Sequence, residues 1–362
     1  MKPFKINLRR EGWKGHTHFI PNYFQDVDCD RLRILKISRQ VIRPGMLACY
    51  SILFAAAIFL FGGCSIKKLA INSFADALTE GSAGVYASDD DPELIGQALP
   101  FALKTMESLL QSAPDNKQLL IAAASGFVQY AHAYVLRPAI SQENSDLQAS
   151  RAGRERAKRL FIRARNYGLR ALATQYPNLP QTLNSDPASA LSGVQRADIA
   201  SLYWTGVAWG SAISVSKDDM NLVGELPIVQ ALLNRALELD ESWQDGAIHE
   251  FFIVFEAGRS EAEGGGVAKA EQHFKRAMAL NQGHSISPLV AFAESVCVKQ
   301  QARKRFRELL TQALNFDVDG FSQNRLSNIL AQRKAAELLK NIDLLFYVDE
   351  DESFDPNAIS NE

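Results

Sequence analysis

The sequence predicts an all-α protein made of stacked helical hairpins. Three observations carry this. Apolar residues recur at steps of three and four through most of the chain, the spacing of one helical face. Short breaks with Pro, Asp, Asn or Gly separate these runs, as in Pro114-Asp115-Asn116. One short pattern of small and apolar residues then returns several times at the end of successive helices. With 362 residues, 47% hydrophobic and 22% charged, the chain can bury one or two substantial cores and is too apolar to be disordered.

Asp91-Pro92-Glu93-Leu94 opens the first helix of the body: Asp caps, Pro occupies the first turn and Glu favours the positive end. Leu99, Leu103, Met106 and Leu110 then share a face, and Leu120, Ala123, Phe127, Ala131 and Tyr134 form the next run. Two helices joined by so short a break pack antiparallel. The endings Arg235-Ala236-Leu237-Glu238-Leu239-Asp240, Arg276-Ala277-Met278-Ala279-Leu280-Asn281 and Gln312-Ala313-Leu314-Asn315-Phe316-Asp317 place Ala236, Ala277 and Ala313 at spacings of 41 and 36. These endings resemble the second helix of a tetratricopeptide repeat, degenerate in period, and imply a tetratricopeptide-like α-solenoid or bundle.

The middle of the chain is less regular. Leu147 to Tyr176 reads as a long helix carrying Arg151, Arg154, Arg156, Arg159, Arg163, Arg165 and Arg170, offset within the run only by Glu155. Such a face binds an acidic partner or, more simply, is solvated and ion-paired to neighbouring helices. Pro177, Pro180 and Pro187 are expected to form a loop. Asp198 to Val215 is apolar nearly all round, so it is buried centrally or lines a cavity. Trp243 to Ala257 reads as one helix.

The N-terminal region addresses the chain to a membrane. Residues 1–45 carry ten Lys/Arg against four Asp/Glu, no charge lies from Met46 to Gly63, and the remainder has 29 basic and 37 acidic residues. Basic residues, an apolar run at 46–63 and the small residues Gly62-Gly63 before Cys64 make the order of a secretory signal. They resemble the lipobox of bacterial lipoproteins, in which the cysteine is lipidated and becomes the new N-terminus. Phe61 departs from the usual Leu or Val, and an uncleaved membrane-spanning helix fits the same length. Ser65 favours the outer membrane by the enterobacterial sorting rule. The 1–45 extension suits a start codon assigned too early, and the acidic segment 348–362 reads as a flexible tail. The helical domain is thereby expected to span 64–347.

Catalytic and metal patterns are absent from the sequence. His249-Glu250 is followed by Ile253 where a zinc motif needs His, so His249 reads as a hydrogen-bonded helix residue. Asp89-Asp90-Asp91 lacks the alternation of a calcium loop, and Gly264-Gly265-Gly266 has no strand before it. Cys297 lies in an apolar run and reads as a core residue. The acidic body argues against nucleic acid, whose phosphates require a basic surface. No cofactor is implied.

Several long segments, taken together, resemble one family. They are Ser88–Gln111, Phe161–Arg170, Leu202–Gly210, Leu226–Trp243, Gly246–Phe252, His273–Asn281, Ala293–Val296 and Arg325–Lys340, in that order. The chain resembles the T component of tetratricopeptide-associated tripartite (TRAP) transporters, the TatT family. The resemblance implies a non-enzymatic periplasmic lipoprotein, held to a bacterial membrane by its lipid anchor. It further implies a homotrimer with an apolar channel or cleft in each protomer, and association with the periplasmic substrate-binding protein of a TRAP transporter. The implied cargo is a hydrophobic small molecule, such as an organic acid with an apolar body. An apolar passage needs aromatic and aliphatic lining with few charges, and the candidates are Phe127, Tyr130, Tyr134, Tyr203, Trp204 and Trp209. Core filling is the alternative for these six. A tetratricopeptide scaffold for envelope assembly and a hydrolase with a polar cleft remain as other classes.

Overall fold

The computed structural model describes residues 82–347. The basic extension, the apolar run, Cys64 and the acidic tail lie outside the described residues. Among the described residues all regular structure is helical. The first helices are α1 (Ser82–Ala87), α2 (Pro92–Ser112), α3 (Lys117–Tyr130), which runs through a π-helical segment Ala131–Leu136 into α4 (Arg137–Ser141), and α5 (Leu147–Ala173). Next come the short α6 (Leu179–Thr182) and α7 (Pro187–Leu191), then α8 (Ile199–Ser214), α9 (Met220–Val223), α10 (Leu226–Leu239) and α11 (Ala247–Ala257). The last group is α12 (Val267–Asn281), α13 (Ser287–Phe292) with a π-helical extension Ala293–Cys297, α14 (Arg303–Leu314), α15 (Arg325–Lys340) and α16 (Ile342–Leu345).

Helix starts follow the caps written in the sequence. Asp91, Asn116 and Asp146 accept hydrogen bonds from the backbone N–H of Leu94, Leu119 and Ala149 at 3.0, 2.9 and 2.9 Å. Each satisfies one of the N–H groups that a helix leaves unpaired at its first turn. The loop expected around Pro177–Pro187 instead holds α6 and α7. Pro180 and Pro187 sit in their first turns, where a proline has no N–H to waste, and Asp186 caps the second.

The π-helical segment at 131–136 has a local cause. Pro138 cannot donate to the carbonyl of Tyr134, and its ring crowds that position. The turn widens ahead of it, and the Arg137 N–H bonds back to His132 O. The whole run Lys117–Ser141, 25 residues, is apolar and long enough to cross a membrane. Its Leu119, Leu120, Ala123 and Ala124 are instead fully buried in protein.

Two apolar cores fill the fold. One runs from Leu103 to Phe252, built on α2, α3, α5, α8 and α10; the second runs from Ile253 to Phe346, built on α12 to α15. The chain then returns to its beginning. Arg333 of α15 holds Glu93 of α2, with Nη2 3.1 Å from Oε2, and Arg137 of α4 donates to Glu337 at 2.8 Å. Successive neighbours α2, α3, α5, α8, α11, α13 and α15 thereby close into a cycle of packed helices. α5 and α8 pack tightly where Gly168 lies against Thr205.

The arginine-rich face of α5 is ion-paired. Arg154 meets Glu143 at 2.6 Å, Arg163 lies 3.7 Å from Glu107 and Arg165 3.5 Å from Glu225. Arg170 donates to Pro114 O at 2.8 Å. These are the cross-helix pairs expected of a solvated face rather than a row of free cations.

Candidate functional site: the open faces of α8 and α11

α11 lies where the two cores meet. Ile248 and Phe252 enter the first and Ile253 and Ala257 the second. A third face remains, formed by Ala247, Glu250, Phe251, Val254 and Phe255, all partly or fully accessible. Val254 is 52% exposed. The accessible side of a helix in water is normally polar, and Glu250 is the one charge on this face. α8 repeats the pattern, because its accessible positions Ala200, Tyr203, Trp204, Gly210 and Ser214 carry no charge. The two faces meet: Phe251 packs on the Gly210 backbone so closely that a Cβ there would lie 3.0 Å from its ring.

Tyr203 is the hub of an aromatic group. Its ring centroid is 5.0 Å from that of Trp204, edge on, and 4.7 Å from that of Trp243. Trp243 reaches it through an unusual turn. Gln244, Asp245 and Gly246 all take left-handed backbone angles, with φ 45°, 55° and 88°. The single helix expected over Trp243–Ala257 is therefore broken, and α11 starts only at Ala247. Consecutive left-handed residues other than glycine are strained, and such strain concentrates at ligand sites and switches.

Glu250 has no hydrogen-bond or ion-pair partner among the described residues. Burial pushes its carboxyl up to about 7, because removing water disfavours the charged form. Burial, with the Glu250 charge second, raises the Tyr203 phenol above its ordinary value.

The six predicted lining residues divide. Tyr203 and Trp204 stand on the open face of α8 and retain accessible surface. Trp209 is buried, its Nε1–H donating to Glu225 at 2.6 Å with the Arg165 guanidinium 4.7 Å above its ring. Phe127 is also buried, stacked on Tyr167 at 6.0 Å. Tyr130 and Tyr134 stack on each other at 5.9 Å. Arg156 donates to the Tyr130 hydroxyl at 3.3 Å, and the Tyr134 ring lies against Gly96 of α2. The structure thus brings Tyr203 and Trp204 together and pairs Tyr130 with Tyr134, while Phe127 and Trp209 pack in the core. The sequence reading passed over Phe251, Val254, Phe255 and the role of Glu250, although their spacing of three and four was visible.

Other side-chain groups read as structural. His249 bonds His273 and Glu241, as expected of a hydrogen-bonded helix residue. Cys297 is fully buried, and burial raises its thiol to about 11, which suppresses the reactive thiolate. A surface depression between α7 and α10 is lined by Leu191, Ser192, Pro227, Asn234, Arg235 and Glu238; its two charges pair with each other, Arg235 donating to Glu238 at 3.0 Å, and the Ser192 hydroxyl donates to Ser189 O.

The described residues form an all-α protein whose helices close end to end and open two apolar faces beside one strained aromatic group. Residues 88–346 match the family described as TRAP transporter T-component. The chain belongs to that family, whose members are accessory transport components. It is 29% identical over 308 residues to an uncharacterized protein of Treponema pallidum (strain Nichols), a match covering 80% of this chain and 95% of the relative.

Proposed function

We propose that this chain is a periplasmic lipoprotein, tethered to a bacterial membrane through Cys64, that holds a hydrophobic small molecule for a TRAP transporter. The outer membrane is the favoured site of the anchor, on the identity of Ser65. The protein works as a homotrimer beside the transporter's periplasmic substrate-binding protein and breaks no covalent bond. The observation that carries the ligand part is the accessible apolar face of α11, continuous with Tyr203 and Trp204 on α8. Aromatic and aliphatic walls with one polar group match the composition of small-molecule sites. Tyr130 and Tyr134, partly accessible on the α3–α4 run, are the second place where the lining is proposed.

The test is a pull-down from periplasm with the lipidated full-length protein, together with radiolabelled palmitate incorporation. Recovery of a TRAP-type substrate-binding protein, and loss of label in Cys64→Ala, are the expected results. Recovery of outer-membrane assembly factors without any TRAP component would replace this reading with that of an envelope scaffold.

A further inference from the structure

The polar group on the open face of α11 bears on the chemistry of the ligand. Glu250 is the only ionisable residue on the open face of α11, and its carboxylate has neither an Arg, Lys or His partner nor a hydrogen-bond donor among the described residues. Three other acids of the neighbouring helices are each held by a cation or a donor. Glu107 has Lys104 and Tyr167, Glu225 has Arg165 and Trp209, and Glu256 has Arg259 at 2.7 Å. A carboxylate crowded by apolar atoms is unfavourable unless an opposite charge joins it. The Tyr203 phenol lies within electrostatic reach of it and carries no positive charge.

The walls beside Glu250 favour the same sign of ligand. The rings of Tyr203, Trp204 and Trp243 gather with centroids 4.7 and 5.0 Å apart, and aromatic faces attract ammonium groups. Trp243 is carried there by the left-handed turn at Gln244–Gly246, so the backbone holds strain where this ring is placed. Phe251, Val254 and Phe255 then continue the surface as an apolar strip one helical turn long.

We propose that the open faces of α8 and α11 take an amphipathic cation, an amine or quaternary ammonium on an apolar body, with Glu250 as its counter-ion and Tyr203, Trp204 and Trp243 around its head. This rests on the proposed ligand-holding role and narrows it. It also departs from the organic acid implied by the family resemblance, because an anion at this place meets the Glu250 charge with no cation on α8 or α11 to offset it. The recognition chemistry is a carboxylate and π faces for the charge, and aliphatic and aromatic side chains for the tail.

The probes are three molecules of equal tail length: hexyltrimethylammonium, 1-hexanol and hexanoate. Each is titrated by calorimetry into the full-length protein held in phospholipid nanodiscs, with empty nanodiscs as the blank, at about pH 8.5, where a carboxylate is ionised. The ammonium is expected to bind about tenfold more tightly than the alcohol, and hexanoate most weakly. Glu250→Gln is expected to erase the ammonium-over-alcohol preference. Trp243→Leu should reduce the same preference, and serves if Glu250→Gln fails to fold by circular dichroism. Alcohol binding without charge preference, or tighter binding of hexanoate, would overturn the cation inference and leave the apolar site standing. Failure of all three probes to bind would overturn both.

Discussion

His249 Nδ1 of α11 and His273 Nδ1 of α12 lie 2.9 Å apart, so one ring must donate and the other accept. Glu241 Oε2 stands 3.4 Å from His249 Nε2. With the His249 proton on Nε2, facing Glu241, His249 Nδ1 accepts from His273 Nδ1–H, and the pair is neutral. Burial lowers both rings, His273 to about 4, with the His249 charge as a further cause. A histidine whose folded pKa is depressed contributes stability above its unfolded value of about 6.5, and this is lost as pH falls toward about 4. After discounting for the accessible part of the ring, the loss is on the order of 1 kcal/mol. Melting temperature should therefore fall between about pH 6.5 and 4.5, before most carboxylates protonate. His273→Gln should flatten that slope. An unchanged slope in the variant would assign the effect elsewhere, to His132 first, which burial also lowers to about 4.

Gly168 of α5 lies directly against Thr205 of α8. A Cβ there would lie 2.2 Å from Thr205 Oγ1 and 3.1 Å from the Thr205 Cα. The second contact is with backbone, which a rotamer change does not relieve. Gly168→Ala should thus lower stability by about 1–3 kcal/mol despite alanine's better helix propensity. Gly84 of α1 has nothing within 4 Å of the same added atom. Gly84→Ala should stabilise slightly or be neutral, and denaturant melts of the two variants compare a crowded with an open helical glycine.

Much of this architecture is legible in the residues themselves. The Asp91-Pro92 start, the Asn116 cap and the ion pairing of the α5 arginines follow from local chemistry and helical period. What escapes the period is set by tertiary contact. The left-handed turn at Gln244–Gly246 includes Gln244, which has no left-handed preference, beside Asp245 and Gly246, which tolerate it better, and it places Trp243 on Tyr203, forty positions earlier in the chain. Glu250 reads from sequence as half of a failed zinc motif. Its isolation emerges only once α11 has given two faces to two cores and turned the third toward α8. Aromatic content alone likewise cannot separate Trp204 from Trp209, five residues apart, one open and one buried.

Asp198 is fully buried at the start of α8, and two partners from elsewhere in the chain hold it. The Lys117 ammonium of α3 pairs with its Oδ1, and the Tyr176 hydroxyl donates to Oδ2 at 2.8 Å. Removing one partner of a buried charge leaves the other uncompensated. Lys117→Met should cost about 3 kcal/mol, whereas Tyr176→Phe, which removes one hydrogen bond to a charged group, should cost about 2 kcal/mol. Adding Asp198→Asn to Lys117→Met should restore part of the loss, and a double-mutant cycle in urea measures it. Additive losses would mean that the pair is not coupled.

Trp204 and Trp209 offer the sharpest separation of lining from packing, because they share a helix and differ only in what they face. Trp209 loses three things on replacement by Ala: a buried ring, the 2.6 Å hydrogen bond to Glu225 and the Arg165 guanidinium stacked at 4.7 Å. Its removal also leaves the Glu225–Arg165 pair, 3.5 Å apart, over a cavity. Trp209→Ala should therefore destabilise by about 3–5 kcal/mol, with hydrophobic-probe binding per folded molecule unchanged. Trp204 keeps accessible surface and contacts Tyr203 edge on at 5.0 Å. Trp204→Ala should destabilise by only about 1–2 kcal/mol, since less apolar area leaves the protein interior. Its probe binding should weaken severalfold, because a wall of the site is gone. Thermal melts and probe fluorescence on the same samples supply both axes. If Trp204→Ala loses stability with no change in probe binding per folded molecule, Trp204 is a packing residue and the open face of α8 is not where the ligand lies.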